Sequence, residues 1–315
     1  MDPKVVGLDR PVARVVGAGG LFGSAMCSTL AAKHIDFQPL TGLVWSDPTR
    51  LAHAFDQLAS ELANDPERRP WIVFWCAGVG HVGAGPDVHQ RDQQTLGLLL
   101  SSLESVPADC PGVFVLASSA GAVYSGNTSW PATERTMPVP LHAYGESKLA
   151  QEDMVSSLTD RQPHIRTVHL RISNLYGTGQ EIDKPQGLLS HLVANTFRRV
   201  PSTIYVPLDT SRDYLFTHDA AAMALRAAHL GLHADPGTID TRILASERNH
   251  TIGQILGILS KIVKRRIPTI ARPTANTDRQ PLMLSFRSHD LEQRQLAKVS
   301  LEEGISRLVA EYAHA

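Results

Sequence analysis

The sequence predicts an α/β fold, a doubly wound parallel sheet (Rossmann) with a smaller C-terminal substrate lobe, and three observations carry that prediction. Through the first half, short apolar runs rich in β-branched residues alternate with longer segments of helical period, as parallel strands joined by crossover helices require. One of those runs, WIVFWCA at 71–77, has no polar alternation, which marks a strand covered by helices on both faces. The first run opens directly into a glycine-rich turn ahead of a helical stretch, ARVVGAGGLFGSAM.

Taken in order, strands are expected near 12–17, 35–40, 71–77, 112–118 and 165–171, with helices near 21–33, 49–63, 87–104 and 143–159. Beyond residue 175 the spacing becomes irregular, and Gly, Pro and charged residues at 177–187, 207–213 and 271–281 separate shorter elements. The division expected is therefore a dinucleotide-binding domain over 1–175 and a mainly substrate-binding lobe over 176–315, some of whose segments return to the sheet. No repeat, low-complexity tract or Pro/Ser-rich linker separates the two, so they are expected to share one cleft.

The 315 residues are 43% apolar and 19% charged, an ordinary globular composition. Thirty basic side chains against thirty-one acidic ones leave a net charge of −1, so no global field favours nucleic acid or an anionic membrane. Cys27, Cys76 and Cys110 are odd in number and widely spaced, which fits neither a disulfide framework nor a zinc motif and implies a reducing compartment. The opening MDPKVVGLDR has no apolar signal core and no later run approaches the roughly 18 apolar residues of a membrane span. A cytoplasmic protein with a small polar ligand and no metal is expected.

In the glycine turn, Gly17 permits the sharp reversal, Gly19 and Gly20 let the backbone approach a pyrophosphate, and Gly23 lets the helix pack on the strand. Phosphate charge then meets the helix N-terminus beside Leu21 and Phe22, so a dinucleotide, NAD or NADP, is the expected cofactor. Recognition of the adenosine ribose ordinarily uses an acidic residue about 20 residues further on. Here the stretch FQPLTGLVW offers Thr41 and no carboxylate beside it, which leaves NADP open as well. Asp47 reads either as a contact at the adenine end or as the N-cap of the helix that follows.

The segment LHAYGESKLAQE sets Tyr144 and Lys148 four residues apart on one face of a helix. A phenol titrates near pH 10, so a tyrosine acting as a base near neutrality needs its anion stabilised by about 4 kcal/mol. One ammonium at about 4 Å supplies on the order of 4 kcal/mol at an effective dielectric of 20. Alone, such a pair is common on surface helices. Upstream, however, the buried-strand pattern VFVLASS ends in Ser118 and Ser119, where the carboxyl end of a sheet strand opens into the ligand crevice and hydroxyls can share a reacting alcohol's proton.

GAGGLFG, SSAGAVYSG, YGESK, LRISNLYGTGQ and RDYLFTHDAA occur in the order seen in extended short-chain dehydrogenases/reductases. From about residue 12 to the closing SLEEGISRLVAEY, the chain resembles the NAD-dependent epimerase/dehydratase enzymes that act on nucleotide sugars. The resemblance implies that Tyr144 is the acid/base, that Lys148 holds the nicotinamide ribose and depresses the tyrosine pKa, and that Cys76, Ala77 and Gly78 border the cofactor. His81, in the same loop, reads as solvated. Many members carry a Ser or Thr four residues before the tyrosine of the VYG motif; counting back from Tyr124 lands on Ala120, which leaves Ser119 as the hydroxyl. Family 4,6-dehydratases carry an Asp-Glu pair where this chain has Gly121 and Ala122, which disfavours dehydration.

For a nucleotide-diphosphate sugar the resemblance implies contacts from Asn174 and from the backbone at Gly187 and Leu188, with Arg212 on the pyrophosphate. A salt bridge to Asp209 or Asp213 is the bland alternative for Arg212, and Asp213 is read as structural. Arg272 and Arg279 both remain candidates for a second guanidinium, and IYVP and YLF are read as core. The activity implied is C4 epimerisation by transient oxidation with a tightly bound cofactor, the alternatives being an NAD(P)H-dependent 4-ketoreductase and a silent nucleotide-sensing or scaffold protein. A homodimer through the helices near 87–104 and 143–159 is expected on the same analogy.

Overall fold

Every residue of Trp71–Trp75 is buried, and the sheet assembles around that run. The computed structural model describes residues 10–179, 187–272 and 281–314. In its first half β1 (Val12–Val16), α1 (Leu21–Ala32), β2 (Asp36–Leu40), α2 (Pro48–Ala63), β3 (Trp71–Trp75) and α3 (Pro86–Leu103) lead to β4 (Gly112–Ser119). The single turn α4 (Ala120–Val123), then α5 (Ala143–Arg161) and β5 (Ile165–Ile172), complete it. The second half holds β6 (Asn174–Tyr176), α6 (Gly187–Arg198), β7 (Ser202–Ile204), β8 (Ser211–Phe216), α7 (Thr217–Leu232) and β9 (Ile239–Leu244). It ends with β10 (Asn249–Thr251), α8 (Ile252–Val263), β11 (Thr269–Ala271), β12 (Met283–Leu284), α9 (Leu291–Arg294) and α10 (Leu301–His314).

The main sheet runs β2-β1-β3-β4-β5-β9, with every neighbouring pair parallel. Because β1 pairs with both β2 and β3, the chain leaves it in one direction and returns to continue in the other. The carboxyl ends of β1 and β3 therefore border a crevice at a topological switch point. Successive side chains of a strand point to opposite faces, so each central strand feeds two cores. On one face Ala13, Val15, Ile72, Phe74 and Val115 meet Phe22 and Met26 of α1 and Met223 and Ala224 of α7. On the other, Val12, Val16, Val73, Trp75 and Phe114 meet Phe55 of α2, Leu96 and Leu99 of α3 and Val155 of α5. Each fully buried large side chain contributes about 1.5–3 kcal/mol relative to exposure.

Local chemistry fixes the joints. Asp47 caps α2, accepting from Thr49 N and Arg50 N at 3.1 Å each, with Pro48 beginning the helix, so the capping reading is the one observed. Gly112 lets β4 lie against Trp71, since a Cβ there would stand 2.1 Å from the indole ring. In the C-terminal region β10, β8 and β12 form a small sheet, with β6 adding to β8 in parallel. Around it Tyr176, Leu192, Phe216, Ile255, Leu259, Ile305 and Leu308 make a separate core. Gly304 admits α10 there, because a Cβ would fall 2.2 Å from the Tyr176 hydroxyl. Of the two segments read as core, Tyr214, Leu215 and Phe216 are buried and so is Ile204, whereas Tyr205 is exposed.

All three cysteines are free thiols. Among the described residues no helix is long and apolar enough to cross a membrane, and no group of three or more His, Cys, Asp or Glu side chains is arranged to hold a metal ion.

Candidate active site

The glycine turn has the shape its roles require. Gly17 sits at φ +86°, and a Cβ there would approach Ala77 N to 2.6 Å; a Cβ on Gly23 would meet Gly17 O at 2.1 Å. Gly19, by contrast, faces open space, with nothing within 4 Å of where a side chain would begin. Gly20 is the N-cap of α1 and makes no side-chain cap, and the first turn of that helix carries no acidic residue. The first amides of α1 are thus left for an external acceptor, and a bare backbone concavity at a helix N-terminus fits a pyrophosphate.

A cavity of about 370 Å³ opens beside this turn. Gly20, Leu21 and Phe22 form one wall, and Cys76, Ala77 and Gly78 continue it from the end of β3. Ser118 and Ser119 from the end of β4, with Tyr144 and Lys148 from the start of α5, form the opposite side, and Asn174 and Gly187 border it from the C-terminal region. Residues from Gly20 to Gly187 thus share one space because four strand ends converge on it.

Within it, Ser119 acts to lower the pKa of the Tyr144 phenol, while its Oγ accepts from Ala122 N at 3.4 Å as the cap of α4. Burial pushes the Tyr144 pKa above its ordinary value; the Ser119 bond pulls it down, and the Asp92 carboxylate raises it further. Lys148 is pushed down to about 8, chiefly by burial, against the opposing pull of Asp92 and Glu152. The Lys148 ammonium lies 6.0 Å from the Tyr144 ring centroid and donates to Ala117 O at 3.0 Å and Gln151 Oε1 at 3.1 Å. Lys148 is not among the groups that shift the Tyr144 pKa, which burial raises on balance and which Ser119 acts to lower.

Ser118 also departs from expectation. Its hydroxyl donates to Glu152 Oε1 at 2.6 Å, inside a buried network in which Arg171 Nη2 meets Glu152 Oε2 at 2.6 Å and Arg171 Nη1 donates to the Tyr124 hydroxyl at 2.6 Å. Adjacent strand residues point to opposite sides, so one serine reaches the phenol and the other ties β4 to α5 and β5. Leu188 packs into the core around Tyr176 and does not border the cavity, whereas Gly187, at φ +75°, does. Asn174 Nδ2 donates to Asp213 O at 2.9 Å.

Arg212 lies off the cavity wall, in β8, donating to Ser211 O at 2.8 Å and Leu282 O at 3.3 Å. No carboxylate among the described residues pairs with it, so the salt-bridge alternative fails, and burial lowers its pKa. Asp213 is structural, accepting from Ser246 N, Ser246 Oγ and Arg248 N at 2.9–3.1 Å. The Arg272 backbone donates to Ile204 O, and Arg279 lies outside the described residues. Thr41 belongs to a second, smaller cleft at the end of β2. The His81 ring braces its own loop, accepting from Gly83 N at 3.1 Å.

Two site residues escaped the sequence reading, both on α3. Asp92 borders the cavity and accepts from Gly80 N at 2.9 Å and Val79 N at 3.2 Å, fixing the loop that follows β3. His89 is buried, and its ring stacks on that of Tyr144 at 5.9 Å between centroids, 29° from parallel. On an amphipathic helix a polar residue facing a cavity and one facing solvent look alike. The available signal was the glycine-rich loop 78–85 just before α3, whose amides need an acceptor.

Comparison with known proteins gives the fold and site a lineage. The chain aligns over 96% of its length with the structure of UDP-glucose 4-epimerase from Thermotoga maritima in complex with UDP-glucose, covering 99% of that chain at 20% identity and a TM-score of 0.76. The UDP-glucuronic acid 4-epimerase of Bacillus cereus, solved with UDP-glucuronic acid and NAD, aligns over 96% of this chain and 99% of its own at 20% identity and a TM-score of 0.74. At these identities the likeness shows the fold. In sequence, the dTDP-4-dehydro-6-deoxyglucose reductase of Escherichia coli is 26% identical over 196 residues, which span 62% of this chain and 60% of the reductase. A family model, NAD dependent epimerase/dehydratase, matches residues 13–238, more than two thirds of the chain and the whole stretch that builds the cavity. The chain belongs to the NAD-dependent epimerase/dehydratase family.

Proposed function

We propose that this protein is a nucleotide-sugar epimerase that acts by transient oxidation at C4 with a tightly bound nicotinamide dinucleotide. One observation carries the reading: Tyr144, with Ser119 on its phenol, faces the same cavity as the bare amides at the start of α1. When bound, the dinucleotide supplies a hydride acceptor and donor. Gly17, Gly19, Gly20 and the α1 amides would hold its pyrophosphate, the Cys76–Gly78 wall would border it, and Lys148 would hold the nicotinamide ribose.

The chain's own contribution is proton handling and position. Tyr144 takes the C4 hydroxyl proton by way of Ser119 while the C4 hydrogen would leave as hydride to the bound dinucleotide, and Tyr144 returns the proton, as that hydride would come back to C4, once the 4-keto sugar has presented its other face. Asn174 and the Gly187 backbone orient the substrate at the cavity's edge. In register, Asn174 lies opposite Tyr214, and Arg212 stands two residues outward along β8 with no carboxylate partner among the described residues, which suits it to a substrate diphosphate. The Gly121 and Ala122 positions bring no carboxylate for eliminating water. A homodimer through the faces of α3 and α5 belongs to the same reading and is tested by light scattering on the eluting protein.

A second reading, an NAD(P)H-dependent 4-ketoreductase, is favoured by the match to the E. coli dTDP-4-dehydro-6-deoxyglucose reductase. Chromatographic separation of UDP- and dTDP-sugars incubated with the protein, with NAD(P)H followed by absorbance, separates the two. An epimerase interconverts C4 isomers without net cofactor consumption, whereas a reductase consumes one NAD(P)H per ketosugar. Tyr144→Phe abolishes turnover in either case while sparing cofactor binding; unchanged turnover would reject the mechanism, and no turnover of any of these sugars by the wild type would leave the silent scaffold or sensor.

A further inference from the structure

We infer that His89 is a positioning residue for the reaction: its imidazole, wedged between the Tyr144 ring and the loop after β3, holds the phenol where proton transfer needs it. The inference rests on Tyr144 as the acid/base and adds the element that aims it.

The backbone at Tyr144 is fixed by its neighbours. Gly145 brings the first turn of α5 against α4, since a Cβ there would stand 2.6 Å from Ala122 O, and Gln93 Nε2 of α3 donates to Ser147 Oγ at 3.1 Å. That sets only where the side chain begins. The phenol oxygen lies on the χ2 axis, so rotation of the ring about that axis leaves it in place, whereas a swing about χ1 carries it sideways. A misplacement of about 1 Å at a reacting group can cost about 100-fold in rate.

His89 blocks that swing. It is 5% exposed, and its ring centroid lies 5.9 Å from that of Tyr144 with the planes 29° apart, an offset stack. The edge of the imidazole meets the loop: a Cβ on Gly80 would stand 3.0 Å from His89 Nδ1 and 3.3 Å from Cε1. Glycine at 80 therefore makes room for the ring. Gly80 is held in turn by its N–H to Asp92, one turn along α3 from His89. Gly80, Asp92 and Tyr144 all border the cavity, and His89 backs that wall without bordering it.

Hydrogen bonding does not account for the imidazole. Its Nε2 is buried with no partner among the described residues, which works against the folded state. An apolar side chain of equal bulk would fill the space without that cost. What such a side chain lacks is a flat face for the phenol ring. Phenylalanine has the face, with one more ring atom to fit beside Gly80.

Three variants of the full-length protein test this. His89→Leu and His89→Met keep the bulk without a plane, and His89→Phe keeps the plane. With a UDP- or dTDP-sugar that the wild type converts, both aliphatic variants should lose at least tenfold in kcat, with KM and the cofactor dissociation constant within about twofold. His89→Phe should recover kcat to within about threefold of wild type. Urea midpoints should not fall in the aliphatic variants, because the unpartnered nitrogen leaves with the ring. Biosynthetic labelling with 3-fluorotyrosine reads the ring without turnover. The fluorine resonance of Tyr144, assigned among the six tyrosines by its loss in Tyr144→Phe, should be one narrow line in wild type and His89→Phe and should split or broaden in both aliphatic variants. Wild-type kcat in an aliphatic variant, an equal loss in all three, or a line that stays single and narrow throughout overturns the inference and leaves Tyr144 as the acid/base. No turnover of any sugar by the wild type overturns the catalytic reading instead, and the fluorine lines still decide whether His89 holds the ring.

Discussion

Lys148→Met should change how stability depends on pH in a way that isolates one buried ammonium. In the folded protein the Lys148 pKa falls from 10.5 to about 8, first because burial strips its water, with Asp92 and Glu152 recovering part of the loss. Between those two pH values the unfolded chain holds a proton that the folded chain has released. Stability therefore rises with pH through that window, the folded pKa of a base being the lower of the two. At about 1.4 kcal/mol per tenfold change in proton affinity, the gap corresponds to ~3 kcal/mol. The other titrating groups are common to wild type and variant, so the difference between their urea-unfolding free energies reports Lys148 itself. Measured at intervals from pH 7 to pH 10.5, that difference should move toward the wild type by ~3 kcal/mol. Parallel profiles would refute the reasoning, because they would mean that Lys148 keeps its solvent-like proton affinity on folding. Methionine approximates the length of the stem, and the Ala117 carbonyl and Gln151 amide left without their donor shift the whole difference without changing its slope.

Three further outcomes follow from the same geometry. Ser119→Ala removes the hydroxyl that acidifies the phenol, so turnover should fall about 100-fold while the cofactor dissociation constant, read by fluorescence titration, stays within twofold. In Asp92→Asn the amide oxygen can still accept from Gly80 N, but the charge that raises the Tyr144 pKa is gone; the acidic limb of kcat/KM for alcohol oxidation should move to lower pH, and an unmoved limb would rule out that electrostatic role. Gly23→Ala forces a methyl against Gly17 O, where the ideal Cβ stands at 2.1 Å, so the urea midpoint should drop by the equivalent of about 1–3 kcal/mol and cofactor affinity should fall with it.

What the sequence disclosed was governed by how local each signal is. β3 was readable because it is apolar at every position, β4 because its run Val113–Ala117 is, and the glycine turn because positive φ and close approach are backbone demands that leave few residue choices. The four-residue spacing of Tyr144 and Lys148 was equally readable, since helical geometry alone puts them on one face. Their proton affinities were not, because desolvation depends on β4 and α3, elements far away in the chain. The strands β6, β7, β10, β11 and β12 are two or three residues long, shorter than any period-two signal needs, so that region showed itself only as irregular spacing. Leu188 illustrates the converse: sequence order put it beside Gly187, and one helical step turned it into the core.

Burial acts on Tyr144 and Lys148 in opposite senses, raising the phenol and lowering the ammonium, and both changes favour the uncharged form. Asp92 raises the two together: it helps keep Lys148 protonated near neutrality and makes the phenol a weaker acid. One carboxylate cannot serve both residues, so the chemistry divides. Lys148, directed at Ala117 and Gln151 and 6.0 Å from the ring centroid, suits a positional task, gripping a ligand with a charge held in place. Ser119, which acts to acidify the phenol, suits the proton path. Loss of Lys148 should then weaken cofactor binding along with turnover, whereas loss of Ser119 should slow the proton step and leave the cofactor in place.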